Sequence, residues 1–297
     1  MRIQNLISRE SFRAFTGSLF LLLGLPVITF LSAKTAHSAT KPLTIVIDPG
    51  HGGSDHGATN DTVKESEVVL EISRLLAKQL GDESKYKIIL TRDSNKAVEL
   101  RQRSHIANRA KADLFVSIHA NSSTSPNVRG AEFYIASQMP PDEESMFLAD
   151  RENTSGEKTS ENESSEEKGP TPEVSAVKTD LEAILEDLRR SHCYRRSLDL
   201  ARAVEASWKA SFPGRKASIQ QGPFAVLLST LAPSLLVEVA YVSNASESKE
   251  LISEKSRVAM ATAIAKGIES FIASPTIENI DKSTTQSHID DHAYKRP

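Results

Sequence analysis

A chain of 297 residues, 39% of them hydrophobic, is long enough to bury one or two sizeable cores, and its formal charge is close to balanced at −3. The first 39 residues carry four basic side chains and one acid, so the remainder stands near −6 and offers no overall attraction to nucleic acid. Cys193 is the only cysteine, which excludes an intrachain disulfide.

The chain opens with Arg2, Arg9 and Arg13, then an uncharged run of 20 residues from Ala14 to Ala33 and the small-residue region Ala36-His-Ser-Ala39. This is the pattern of an export signal over residues 1–39. Gly24 and Pro26, with the small residues that follow, favour its removal, although the run is also long enough to stay as a membrane anchor. His37 fits poorly at the third position before a cut after Ala39, so the cleavage point stays open. Either way the rest of the chain is expected outside the inner membrane, in the periplasm.

Leu43 to Asp48 then reads as a buried strand, and Val68, Val69, Ile72, Leu75, Leu76 and Leu80 recur at helical spacing. Further strands are expected at Tyr86 to Thr91, Asp113 to Ile118 and Ala131 to Ala136, with a helix over Leu100 to Ala110. Strands alternating with helices predict a single α/β domain over 41–273, its sheet mixed and mostly parallel and flanked by helices. The alternation breaks over 138–195, an acidic insert expected to be part helical and part disordered: Thr154 to Gly169 holds almost no large apolar residue. Amphipathic pieces flank that stretch at Glu143 to Glu152 and Asp180 to Arg190. Regular structure is expected to resume with a helix at Ser197 to Ser211, strands at Phe224 to Leu228 and Leu235 to Val242, and a helix at Arg257 to Ile272. A polar, frayed tail follows from 274 to 297.

Several residues stand out chemically. His51 ends the first strand in a glycine-rich turn, which suits a metal or a substrate. Glu65 sits at the start of the first helix, where the macrodipole favours a carboxylate, but Thr62-Val-Lys-Glu65 is also a plausible capping box. Glu67 is its rival two residues on. His119 follows an apolar run and could equally be a core residue. Glu238 lies inside Leu-Leu-Val-Glu-Val-Ala-Tyr-Val, otherwise a buried strand. A carboxylate there must be neutral, close to a metal, or paired, for instance with Arg103.

Four segments stand in order: Ile-Val-Ile-Asp-Pro-Gly-His-Gly-Gly (45–53), Lys-Glu-Ser-Glu-Val-Val-Leu (64–70), Ser-Ile-His-Ala-Asn (117–121) and Leu-Val-Glu-Val-Ala-Tyr-Val-Ser-Asn (236–244). Together they resemble the zinc-dependent N-acetylmuramoyl-L-alanine amidases that trim bacterial peptidoglycan, over about residues 43 to 272. The resemblance implies Zn2+ held by His51, Glu65 and His119, a fourth position open to water, and Glu238 as general base. Asn121 and Arg103 become candidates for orienting that site. Division-associated members of the family carry an insert at this place, whose helix covers the zinc and lends it a carboxylate. Glu143, Glu144 and Glu152 are the candidates for that ligand here, with Met146, Phe147 or Leu148 anchoring the helix. The expected partners are peptidoglycan and a protein activator that displaces the helix, acting on a monomer. Two competing readings remain. One is a non-catalytic peptidoglycan-binding protein on the same fold; the other, suggested by Ser-x-x-Lys at Ser155, Ser165 and Ser246, is a serine penicillin-binding-type enzyme.

Overall fold

The computed structural model of the chain describes residues 41–82, 84–137, 142–154 and 180–274. The expected signal or anchor at 1–39, the acidic stretch at 155–179 and the tail from 275 onward lie outside the described residues. In chain order the elements are β1 (Leu43–Pro49), α1 (Glu65–Gln79), β2 (Tyr86–Leu90), α2 (Leu100–Ala110), β3 (Leu114–Asn121), β4 (Ala131–Ala136), α3 (Glu143–Thr154), α4 (Asp180–Ser211), β5 (Ala217–Gly222), α5 (Ala225–Leu228), β6 (Ser234–Tyr241), α6 (Ala245–Ile252) and α7 (Glu254–Ala273).

The strands form one sheet in the order β2-β1-β3-β6-β4-β5. Every neighbouring pair is parallel except β4 against β6. The sheet is therefore mixed and mostly parallel, as the alternation of elements predicts. β3 and β6 are buried along their whole length, which explains why their sequences run apolar on both faces instead of alternating. One face carries the larger core, where Ile45, Val116 and Val237 meet Ile72 of α1, Val204 and Trp208 of α4, and Ile264 of α7. On the other face Val46, Phe115, Tyr134 and Leu236 meet Ala107 of α2, Leu148 and Ala149 of α3, and Val226 and Leu227 of α5.

Three differences from the expected elements have physical causes. Phe224 to Leu228, expected as a strand, contains the single helical turn α5, because five apolar residues in a row carry no period that separates strand from helix. The missing strand is β5, Ala-Ser-Ile-Gln-Gln-Gly, an edge strand only half-buried over most of its length, which therefore lacks an apolar signature. Asp180 to Arg190 and Ser197 to Ser211, expected as separate pieces, are one continuous helix, α4. The short α6 was not anticipated; the Asn244 side chain caps it by accepting from the Ser246 and Glu247 N–H groups. No helix among the described residues is long and apolar enough to cross a membrane.

Phe133 is fully buried in the larger core, with its ring edge-on to that of Trp208 at 6.0 Å. Phe133→Ala is expected to cost about 3–5 kcal/mol of stability. Urea unfolding followed by the fluorescence of Trp208, the only tryptophan, measures it.

Candidate metal centre and active site

On the face covered by α2, α3 and α5, the central strands change character along their length. Val46 gives way to Asp48, Phe115 to Ser117 and His119, and Leu236 to Glu238, each two residues further on and so on the same face. His119 and Glu238 are register partners across β3 and β6, and Glu132 of β4 is the partner of Glu238 on its other side. The apolar layer thus passes into an ionisable one toward the carboxyl ends of β1, β3 and β6, where open α/β sheets place their sites.

His51 lies just past β1 with φ of +56°, a left-handed conformation that is uncommon outside glycine. Its turn is held by two buried arginines. Arg103 donates to the carbonyls of Pro49 (2.6 Å) and His51 (2.7 Å) and forms an ion pair with Asp48 at 2.8 Å. Arg92 donates to the carbonyls of Pro49 (2.9 Å), Gly50 (2.6 Å) and Ser66 (2.7 Å). Asp48 is satisfied further by Thr91 and Ser117. Burial opposes its charge, yet Arg103 and these hydroxyls hold its pKa below the usual carboxylate value. Two glycines clear the space between the rings: a Cβ on Gly50 would stand 2.3 Å from His119 Cε1, and one on Gly57 would stand 2.5 Å from Glu65 Oε2.

Four side chains converge here. Glu65 Oε1 lies 3.1 Å from both His51 Nε2 and His119 Nδ1. Glu152 Oε2, from α3, lies 3.2 Å and 3.1 Å from the same two nitrogens. All four residues are buried. Glu65 is further fixed by the N–H groups of Ala120 and Ala58, which donate to its two oxygens. The capping-box alternative is absent, because α1 starts at Glu65 with Lys64 at its N-cap and no side-chain cap. Asp55 Oδ2 accepts from His51 Nδ1 at 2.9 Å, which leaves Nε2 turned to the centre. Arg151 donates twice to Glu152 Oε1 and once to the Ser122 carbonyl, so Oε2 is the oxygen left facing the histidines.

This donor set fits a divalent metal ion. The ligand atoms of His51, His119 and Glu152 all lie within 4.8 Å of one another. His51 Nε2 is buried and forms no hydrogen bond, although two carboxylate oxygens stand within 3.2 Å. His119 Nδ1 is within hydrogen-bond reach of Glu65 Oε1, whereas the buried His51 Nε2 makes no such bond and stands ready to face an ion. Imidazole and carboxylate donors are the ligand types of a zinc-like ion. Burial opposes protonation of His119, but Glu152 and Glu65 hold its pKa at about 10. Burial likewise opposes the charge of Glu65, and His51 and His119 hold it down to about 2.

Glu238 behaves in the opposite way. It is fully buried, and neither carboxylate oxygen has a hydrogen-bond partner. Burial pushes its pKa well above the usual value; the charges of Glu65 and Glu152 add to this, against His119 and Arg151. It is not the partner of Arg103, whose guanidinium is committed to Asp48 and the His51 turn. Asn121 does not orient His119 either: its amide donates to Glu132 Oε2, which also accepts from the Tyr134 hydroxyl. Of the insert carboxylates the structure brings Glu152 to the histidines and leaves Glu143 and Glu144 exposed. Of the expected anchors, Leu148 is buried while Met146 and Phe147 are 51% and 71% exposed. Glu67 is exposed beside Lys64, and Ser246 is exposed on α6.

Sequence reasoning missed Asp48, Asp55, Arg92 and Arg151. Two signals were available: an acid four residues after His51 in the same tight turn, and an arginine directly after the strand expected at Tyr86 to Thr91. A cleft of about 810 Å³ opens beside the centre, lined by His51, Asp55, Gln102, Arg103, Ser122 and Arg151 among others. Asp55→Ala is expected to lower affinity for a divalent metal ion by about 10- to 100-fold while the fold persists. Competition with a chromophoric chelator, beside circular dichroism, tests this; unchanged affinity would remove Asp55 from the centre.

Comparison with known proteins places the whole of this region in one family. The family model described as N-acetylmuramoyl-L-alanine amidase (Amidase_3) matches residues 45–270. The probable N-acetylmuramoyl-L-alanine amidase AmiB of Haemophilus influenzae is 33% identical over 252 residues, which are 83% of this chain and 56% of that protein. AmiA of Escherichia coli K12 is 30% identical over 251 residues, 80% of this chain and 82% of its own length. The chain thus spans about half of some relatives and most of others. Among solved structures, the amidase AmiC2 of Nostoc punctiforme aligns with a TM-score of 0.55 at 28% identity, over 78% of this chain and 98% of that one. An amidase of Clostridium difficile 630 shares the fold, with a TM-score of 0.58 at 22% identity over 80% of this chain and all of its own. Since the matched segment runs from β1 to α7 and holds every residue that converges on the centre, the chain belongs to the N-acetylmuramoyl-L-alanine amidase family.

Proposed function

We propose that the chain is an exported zinc hydrolase that cleaves the amide between the lactyl group of N-acetylmuramic acid and the L-alanine of the stem peptide in peptidoglycan, during cell-wall remodelling or daughter-cell separation. The observation that carries the reading is the convergence of His51 Nε2, His119 Nδ1 and Glu65 Oε1, beside a buried, unpartnered Glu238. Zinc bound by the three ligands would polarise the scissile carbonyl and lower the pKa of water. The chain's own residues do the rest. Asp55 keeps the proton on His51 Nδ1, so that Nε2 stays a donor of electrons. Arg92 and Arg103 hold the turn that aims it. Glu238, shielded from other hydrogen-bond partners, takes the proton of the attacking water and delivers it to the leaving nitrogen of L-alanine.

Glu238→Gln separates base from metal. The amide keeps the shape but accepts no proton, so zinc content is expected to stay stoichiometric while muropeptide release falls by at least about 100-fold. A variant that retains activity returns Glu238 to a structural role.

The same reading makes Glu152 a stopper. Its carboxylate fills the position that water needs, and α3 covers the centre, so the protein rests closed until an activating protein displaces the helix. To carry a 99:1 closed-to-open ratio to 1:99, the activator must bind the open form better by about 5.5 kcal/mol. Glu152→Ala is expected to raise basal turnover of purified peptidoglycan by about 10-fold or more, with a ceiling near 100-fold for that ratio. An unchanged rate at equal zinc occupancy would make Glu152 a permanent ligand.

A further inference from the structure

The closed position of α3 does not depend on Glu152 alone. The next residue, Asn153, reaches a turn 70 residues downstream, between β5 and α5. Its amide nitrogen donates to the Pro223 carbonyl at 3.0 Å, and its amide oxygen accepts from the Ala225 N–H at 2.8 Å. Ala225 is the first residue of α5, whose own N-cap residue, Phe224, offers no side-chain cap. Asn153 therefore caps α5 from another element and satisfies an N–H that the helix cannot. On the inner side of α3, Leu148 and Ala149 share a core with Phe224, Val226 and Leu227 of the same turn and helix. Arg151 adds a bond to the Ser122 carbonyl at 3.2 Å. None of these contacts touches the histidines.

We propose that Asn153 and the 223–225 turn form a latch that holds α3 over the centre independently of the metal. The balance between closed and open states is then set at this turn, and a partner that opens the site has to break the Asn153 contacts. The effect of the latch on turnover rests on the occlusion reading above; its mechanical part does not. Both faces of the amide are used, one as donor and one as acceptor, so no other side chain of that size replaces it. Aspartate keeps the acceptor for Ala225 but loses the donor to Pro223.

The test is amide hydrogen exchange of the peptide spanning residues 143–154 in the full chain, with and without zinc, for Asn153→Ala and Glu152→Ala. Asn153→Ala is expected to speed exchange about 10-fold in both metal states, as the loss of two hydrogen bonds implies, and to raise turnover while zinc content stays unchanged. Faster exchange with no gain in turnover for either variant would keep the latch and sink the occlusion reading. Exchange in 143–154 that matches the parent overturns the latch, whatever the turnover does. Where Asn153→Ala fails to fold, Asn153→Asp serves in its place, with a smaller rise expected and an unchanged rate equally fatal.

Discussion

Two buried guanidinium groups hold together the part of this molecule on which the chemistry depends. As β1 leaves the sheet it must bend at once so that His51 points back toward His119, and at the bend the carbonyls of Pro49, Gly50 and His51 turn to side-chain donors. A buried carbonyl without a donor is costly. Arg92 and Arg103 supply those donors, and Asp48 balances the charge of Arg103. Burial, and then the neighbouring Arg103, lower the pKa of Arg92 to about 10, still well above neutrality. Arg92 therefore stays a full cation at physiological pH.

The carboxylates at the centre are sorted by their surroundings. Glu65 has two imidazoles and two backbone N–H groups as company and is held in its charged form. Glu238, on β6, is pushed toward its neutral form first by burial without a hydrogen-bond donor and then by two like charges. Equivalent side chains in one cavity are thus pushed in opposite directions, the separation that acid–base chemistry uses. A positive ion among the histidines would add a further charge to this balance and draw Glu238 toward ionisation.

Much of this was legible in the sequence, and the rest was not for identifiable reasons. The apolar strands, the helical period of α1 and the odd carboxylate in β6 are local signals, and each points to its element. That His51, Glu65 and His119 belong together is not local; family resemblance suggested it, and spacing alone did not. The choice of Glu152 over Glu143 and Glu144 depends on which face of α3 meets the sheet, and a helix with exposed Met146 and Phe147 hides that face. β5 escaped because half-buried edge strands need no apolar alternation. The sequence offered Arg103 only as one possible partner for Glu238; that it pairs with Asp48 instead depends on which strand ends meet α2, and no local signal shows that.

The position of β6 has one more consequence. It is the last strand in the sequence, yet it lies between β3 and β4, so β2-β1-β3 and β4-β5 are separate ribbons until it inserts. The most sequence-distant strand is the keystone, and the loop it closes back to β3 spans over a hundred residues. Such long-range closure is slow. A chain that has not yet closed this sheet therefore carries its two histidines and Glu238 on pieces that have not met. The two halves of the centre, His51 and His119 on one side and Glu238 on the other, come together only where β6 sits between β3 and β4.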